Sequence, residues 1–328
     1  MPLPAASVPK YSSVKTLLNG LFDYAGLFPP AALAFEDAID EYMAHRAEAD
    51  DWMMGPFVMP ISRLDELESV SDRIPADSPI PLQLLPPPAL DMVDAPTRLK
   101  EALRKTGQSL DRLEGRATVA GFEWKLPEDA LADAATSVTS VTRVESAFRE
   151  SAFSDAPRYL EIIRTPDFSA QVPLYFLALA AQSSPHVTRA KIRCGGMDES
   201  DFPTTTELAG FLQAAVRTGH PFKATAGLHH PIRHFNEGQQ VWMHGFLNVF
   251  FATTLGRIHD LDINAIRTIL EETDPGHLHF SDSGIRWKDL SATTTDFIQD
   301  RRSLCLTIGS CSIDEPRQDL HNLGWLSH

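Results

Sequence analysis

The chain has 328 residues, of which 43% are hydrophobic and 22% charged, an ordinary globular balance that excludes a wholly disordered or fibrous polymer. Its 44 acidic residues outnumber 29 lysines and arginines, giving a formal charge of -15. No basic block offsets that charge, which argues against nucleic acid or an anionic membrane as partner. No apolar run approaches the length of a membrane-spanning helix, so none is expected.

The start, MPLPAASVPKYSSVK, lacks a charged segment followed by an apolar core and is a poor secretory leader. Cys194, Cys305 and Cys311 make neither an even disulfide framework nor a CxxC pair. Both features fit a reducing compartment, and a cytoplasmic location is expected.

Along the chain, short runs rich in β-branched residues alternate with helical patterns, the signature of repeated βα units. Eight strands are predicted, starting near Gly20, Phe57, Ile80, Ala117, Arg158, Arg189, Phe222 and Leu304. Helices are predicted between them at Ala34 to His45, Arg63 to Val70, Thr97 to Leu110, Pro127 to Ala135, Val172 to Ala181 and Thr206 to Thr218. Thr204 and Glu207 form a capping-box pattern ahead of the last of these, and Gly219 stops it. The proline run in Leu84 to Leu90 reads as a surface turn.

About 80 residues separate the seventh and eighth strands, more than one helix needs. They hold helical patterns near Gly245 to Leu255 and Ile263 to Thr273, and HLHFSDSGIRW reads as an extra strand or hairpin. Phe246, Leu247, Val249, Phe250 and Phe251 are expected to pack in the core or at a subunit interface. The expected fold is a single (β/α)8 TIM-type barrel over residues 1–328 with an inserted segment at about 232–300; an open doubly wound sheet is the rival.

The densest chemistry runs from Lys191 to His234. Alternate residues of a strand share a face, so Lys191 and Arg193 point one way, and Lys223, Thr225 and Gly227 do so on the next strand. With the apolar partners facing outer helices, both lysines turn into the barrel. Crowded cations and burial would push one amine toward neutrality, as a nucleophile requires. A shift of roughly three units corresponds to about 4 kcal/mol. The lysines could instead pair with Glu123 or Glu161, or bind an anion.

Three runs resemble class I deoxyribose-phosphate aldolases: KIRCGG at Lys191, FKATAGLHH at Lys223 and IGSCS at Ile308, in order and on the expected strands. The resemblance implies that Lys191 forms an imine and Lys223 tunes it or relays its proton. It also implies a phosphate site at the turns holding Gly227 and Gly309. The chain departs from that pattern at Arg193, Cys194, His229 and His230 and in the long insertion.

Glu123 lies on one strand face with Val119 and Gly121, opposite Phe122 and Trp124, and Glu161 sits similarly among apolar neighbours. Either suits general acid–base work or a structural ion pair. Asp23 and Tyr24 follow the first strand and, with Arg193, Thr225, Gly227, Gly309 and Ser310, are substrate-binding candidates. His229 and His230 are acid–base candidates. With His234 and His244 they offer an alternative zinc or other transition-metal site, and His277 with His279 an HxH pair on one strand face. No nucleotide motif is present, and no cofactor is expected.

These residues lead to the expectation of a class I lyase acting on a small carbonyl substrate that bears phosphate or carboxylate. A metal-dependent hydrolase, isomerase or lyase and a non-catalytic ligand-binding barrel are the alternatives. The expected partner is a small molecule, with a homo-oligomer as an option.

Overall fold

A computed structural model describes residues 7–182 and 187–327; the first six residues of the start, read above as a poor secretory leader, lie outside them. Eight parallel strands close into a barrel surrounded by helices. The barrel strands are Phe22–Tyr24, Met54–Pro60, Ile80–Leu85, Ala117–Lys125, Arg158–Glu161, Thr188–Arg193, Phe222–Thr225 and Cys305–Ser310. The last strand pairs with the first through Gly309 and Asp23, and with the seventh through Gly309 and Thr225. That closure decides for the barrel over the open sheet. Among the described residues, no helix is long and apolar enough to cross a membrane.

By contact density the chain divides into two compact units, Met1–Gly55 with Arg193–His328, and Pro56–Ile192. In the second unit, Phe122 packs edge-on against Phe148 of helix Ala134–Arg149, at 5.2 Å between ring centres. Strand alternation therefore turns Gly121 and Glu123 inward. Arg158, the first residue of the fifth strand, donates two hydrogen bonds to Glu145 of the same helix, at 2.8 and 2.5 Å, and lies over the Phe148 ring.

In the first unit, Phe22 meets Phe246, and Phe222 meets Phe211, both edge-on, so Asp23 and Lys223 face the other way. Helix Phe246–Ile258 is buried along nearly its whole length, Phe246 to Phe251 included, as the apolar run requires. The segment before the last strand also holds a hairpin (His234–Asn236 with Val241–Met243) and helix Ile263–Leu270. A three-stranded sheet follows, Leu278–Ser281, Gly284–Trp287 and Leu290–Thr293, then helix Thr294–Ser303.

Helix Thr205–Thr218 forms as its sequence dictates: Thr204 and Glu207 complete the capping box, and Gly219 ends it with φ +63°. The helix expected over Pro127 to Ala135 is misplaced. Glu128–Leu131 is a short 3-10 turn, and the helix starts at Ala134, capped by the Asp133 carboxylate accepting from the Thr136 amide at 2.9 Å. The proline run leaves the third strand at Leu85, and the Pro87 carbonyl accepts from the Trp124 indole at 3.2 Å.

Candidate active site

Within Pro56–Ile192, three inward side chains from consecutive strands meet. The Lys191 ammonium lies 2.5 Å from Glu123 Oε2 and 2.8 Å from Glu161 Oε2, and all three residues are buried. Glu161 ends its strand and Lys191 lies two residues before the end of the next, near the carboxyl ends, where barrel enzymes do their chemistry. Tyr175 of helix Phe168–Ala180 fixes this edge: its hydroxyl donates to the Leu160 carbonyl and accepts from the Lys191 amide at 3.1 Å.

Burial pulls the Lys191 pKa down, but the Glu123 and Glu161 carboxylates outweigh it, and the ammonium is held above the usual lysine range. This corrects the expectation of an amine neutralised by crowded cations. The neighbours that decide its charge are anions. Carboxylates turned inward by the same alternation reach the amine before any cation does.

In the other unit, Lys223 is fully buried and donates to Asp23 Oδ2, which also accepts from the Thr307 hydroxyl at 3.1 Å. Gly55 makes room for this pair, because a Cβ there would lie 2.1 Å from Asp23 Oδ1. Nothing in the sequence marked Gly55 beyond its place next to a strand. Tyr24 leaves the substrate-binding set: it shares the outward face with Phe22, and its ring lies 5.6 Å from that of Tyr42. Burial, with help from Glu41, raises its phenol pKa, so packing accounts for it.

Arg193 is exposed at the end of its strand and donates from Nε to the Gly195 carbonyl at 2.9 Å. Thr225 is half-buried, and its carbonyl accepts from the Cys194 amide at 2.7 Å. Gly227, at φ +67°, packs its backbone directly on Gly195, which leaves no space for a side chain at either position. Gly309 lies against Thr225, and the Ser310 hydroxyl is spent on a local turn, donating to the Ser312 carbonyl at 2.5 Å.

The histidines divide. His229 Nδ1 lies 3.7 Å from the Cys311 sulfur and 3.6 Å from Glu315, and burial lowers its pKa against the pull of Glu315. His230 pairs with Asp319 at 2.6 Å, and its ring meets that of His234 edge-on at 4.4 Å. His244 is buried elsewhere, hydrogen-bonded through Nε2 to the Pro203 carbonyl at 2.7 Å. His277 stands in a 3-10 turn and pairs with Glu272, whereas His279 is on the following strand, so the two share no strand face. Among the described residues, no three His, Cys, Asp or Glu side chains are arranged to hold a metal, which corrects the four-histidine set.

Comparison with models of protein families, with curated proteins and with solved structures finds no match to this chain. All three cysteines are buried and free, and burial pushes the Cys194 thiol up to about 12, away from the thiolate a nucleophile needs. Lys191 with its two carboxylates is the group whose composition and position suit bond-making chemistry.

Proposed function

We propose that the protein is an enzyme, a Schiff-base lyase of the aldolase kind acting on a small carbonyl compound. Lys191 adds to the carbonyl carbon, and Glu123 and Glu161 take and return protons. The observation that carries this reading is the buried amine held at 2.5 and 2.8 Å by two carboxylates near the carboxyl ends of barrel strands.

Lys191 rests as an ammonium, so attack begins when one carboxylate accepts a proton. Because Glu123 and Glu161 hold the ammonium, that transfer is uphill, and addition of the freed amine to the carbonyl draws it forward. The freed amine adds to the carbonyl carbon, and the carbonyl oxygen departs as water with two of the amine's hydrogens. Ammonium plus carbonyl compound becomes iminium plus water, so the charge facing the carboxylates is unchanged. A carboxylate then takes the proton of a β-hydroxyl, the Cα–Cβ bond breaks, and its electrons flow into the iminium to give an enamine. Protonation at carbon and hydrolysis release the second product and restore Lys191.

Borohydride reduction in the presence of short aldehydes and 2-oxo acids, read by peptide mass, tests the proposal. A reduced adduct on Lys191 that disappears in Lys191→Met is expected. Turnover of a carbonyl substrate with no adduct on Lys191 overturns it.

The raised pKa of Lys191 also favours a second reading, in which the ammonium stays intact and polarises a carbonyl while Glu123 or Glu161 removes an α-proton. Exchange of α-hydrogens in heavy water without any trapped adduct would select that isomerase-like chemistry.

A further inference from the structure

One buried polar group of the unit that carries Lys191 is not used by the mechanism above. Gln83, on the third barrel strand, is 2% exposed, and its Nε2 has no hydrogen-bond partner among the described residues. Its strand partner is Gly121, and its neighbours Leu82 and Leu84 are buried on the opposite face, Leu84 level with the outward Phe122. The carboxamide lies across Gly121, within 2.9 Å of where a Cβ would sit. Glu123 is the next inward residue, about 6.6 Å further along the strand. Tyr159 and Arg189, which also face inward, bond to each other at 2.8 Å.

A buried inward amide that lacks a partner, one inward position below Glu123, is a donor suited to an acceptor that arrives with a ligand. We infer that Gln83 is a specificity-determining residue. Its Nε2 donates to an oxygen substituent, hydroxyl or carboxylate, a few bonds from the carbonyl carbon that Lys191 attacks. The inference rests on the proposed imine chemistry and adds the substrate class: an oxygenated ketone or 2-oxo acid rather than a plain ketone. Gly121 admits no side chain, because a Cβ there would meet the Pro157 carbonyl at 2.7 Å and the Gln83 carboxamide oxygen at 2.9 Å.

The test compares wild type with Gln83→Leu, which keeps the bulk and removes the donor. Borohydride trapping on Lys191 is measured with pyruvate, hydroxyacetone and butanone. Wild type is expected to favour the oxygenated probes over butanone by at least about tenfold. Gln83→Leu is expected to lose that preference while labelling with butanone is unchanged. A ratio unaltered by the substitution overturns the inference, and so does a wild type that shows no preference.

Ligand-free melting supplies an independent readout. With no bond at Nε2 to lose, Gln83→Leu should melt at or above wild type, and a fall of more than about 2 °C overturns the inference by showing that the carboxamide holds the fold. If no probe labels Lys191 in wild type, the imine reading fails on its own. The role of Gln83 is then read from heat stabilisation by pyruvate and hydroxyacetone over butanone. Wild type alone should show it, and equal or absent stabilisation in both proteins rejects the role.

Discussion

At the scale of single residues, charge follows from which neighbours the strand alternation turns inward. Lys191 keeps its proton because Glu123 and Glu161 offset the penalty of burial. Glu123→Gln removes one proton acceptor and should slow imine trapping at neutral pH by about a hundredfold, measured as the rate of adduct formation. His244 illustrates the opposite balance. Burial lowers its pKa to about 4, so the folded protein holds it neutral where the unfolded chain, near 6.5, would be protonated. Its contribution is therefore complete above pH 6.5 and fades as pH falls toward 4, on the order of 3 kcal/mol in all. His244→Gln should flatten that acid limb of the stability curve in urea titrations; an unchanged limb would refute it. Much of this site was readable from alternation, which turned Lys191, Glu123 and Glu161 inward. The sign of the lysine's shift was not, because it depends on which of several inward charges lies within hydrogen-bond reach. Gln83 was legible only as a polar residue inside an apolar strand, a signal too weak without its missing partner.

At the scale of elements, propensity and capping account for what could be read. All eight barrel strands fall at the short runs expected to form them, and the Thr204 capping box sets its helix. Helix Ala134–Arg149 was hidden because its valines and threonines lower helix propensity. Its buried positions, Ser137, Ser140, Val141, Val144, Glu145 and Phe148, nevertheless keep helical spacing. The buried Arg158 and Glu145 pair joins this helix to the fifth strand. Glu145→Ala leaves a guanidinium buried without its anion, and a loss of about 3–5 kcal/mol is expected from denaturant unfolding. The double variant Arg158→Met with Glu145→Leu should recover much of it, because a packed apolar pair leaves no charge uncompensated.

At the scale of the whole molecule, closure of the sheet was the feature local pattern could not decide. The same eight βα repeats suit an open sheet, and only pairing of Cys305–Ser310 with both Phe22–Tyr24 and Phe222–Thr225 distinguishes them. Closure matters because it turns one face of every strand inward, including the face that carries Lys191, Glu123 and Glu161. The account stands on those two carboxylates governing the Lys191 proton. A pH titration of lysines labelled with 13C at Cε, followed by NMR and assigned with Lys191→Arg, measures it directly. The account predicts a Lys191 signal that stays in its ammonium position beyond the usual lysine range and titrates lower when Glu123 and Glu161 are both changed to glutamine. A Lys191 that titrates at or below the ordinary value in wild type, unmoved by those changes, would contradict it.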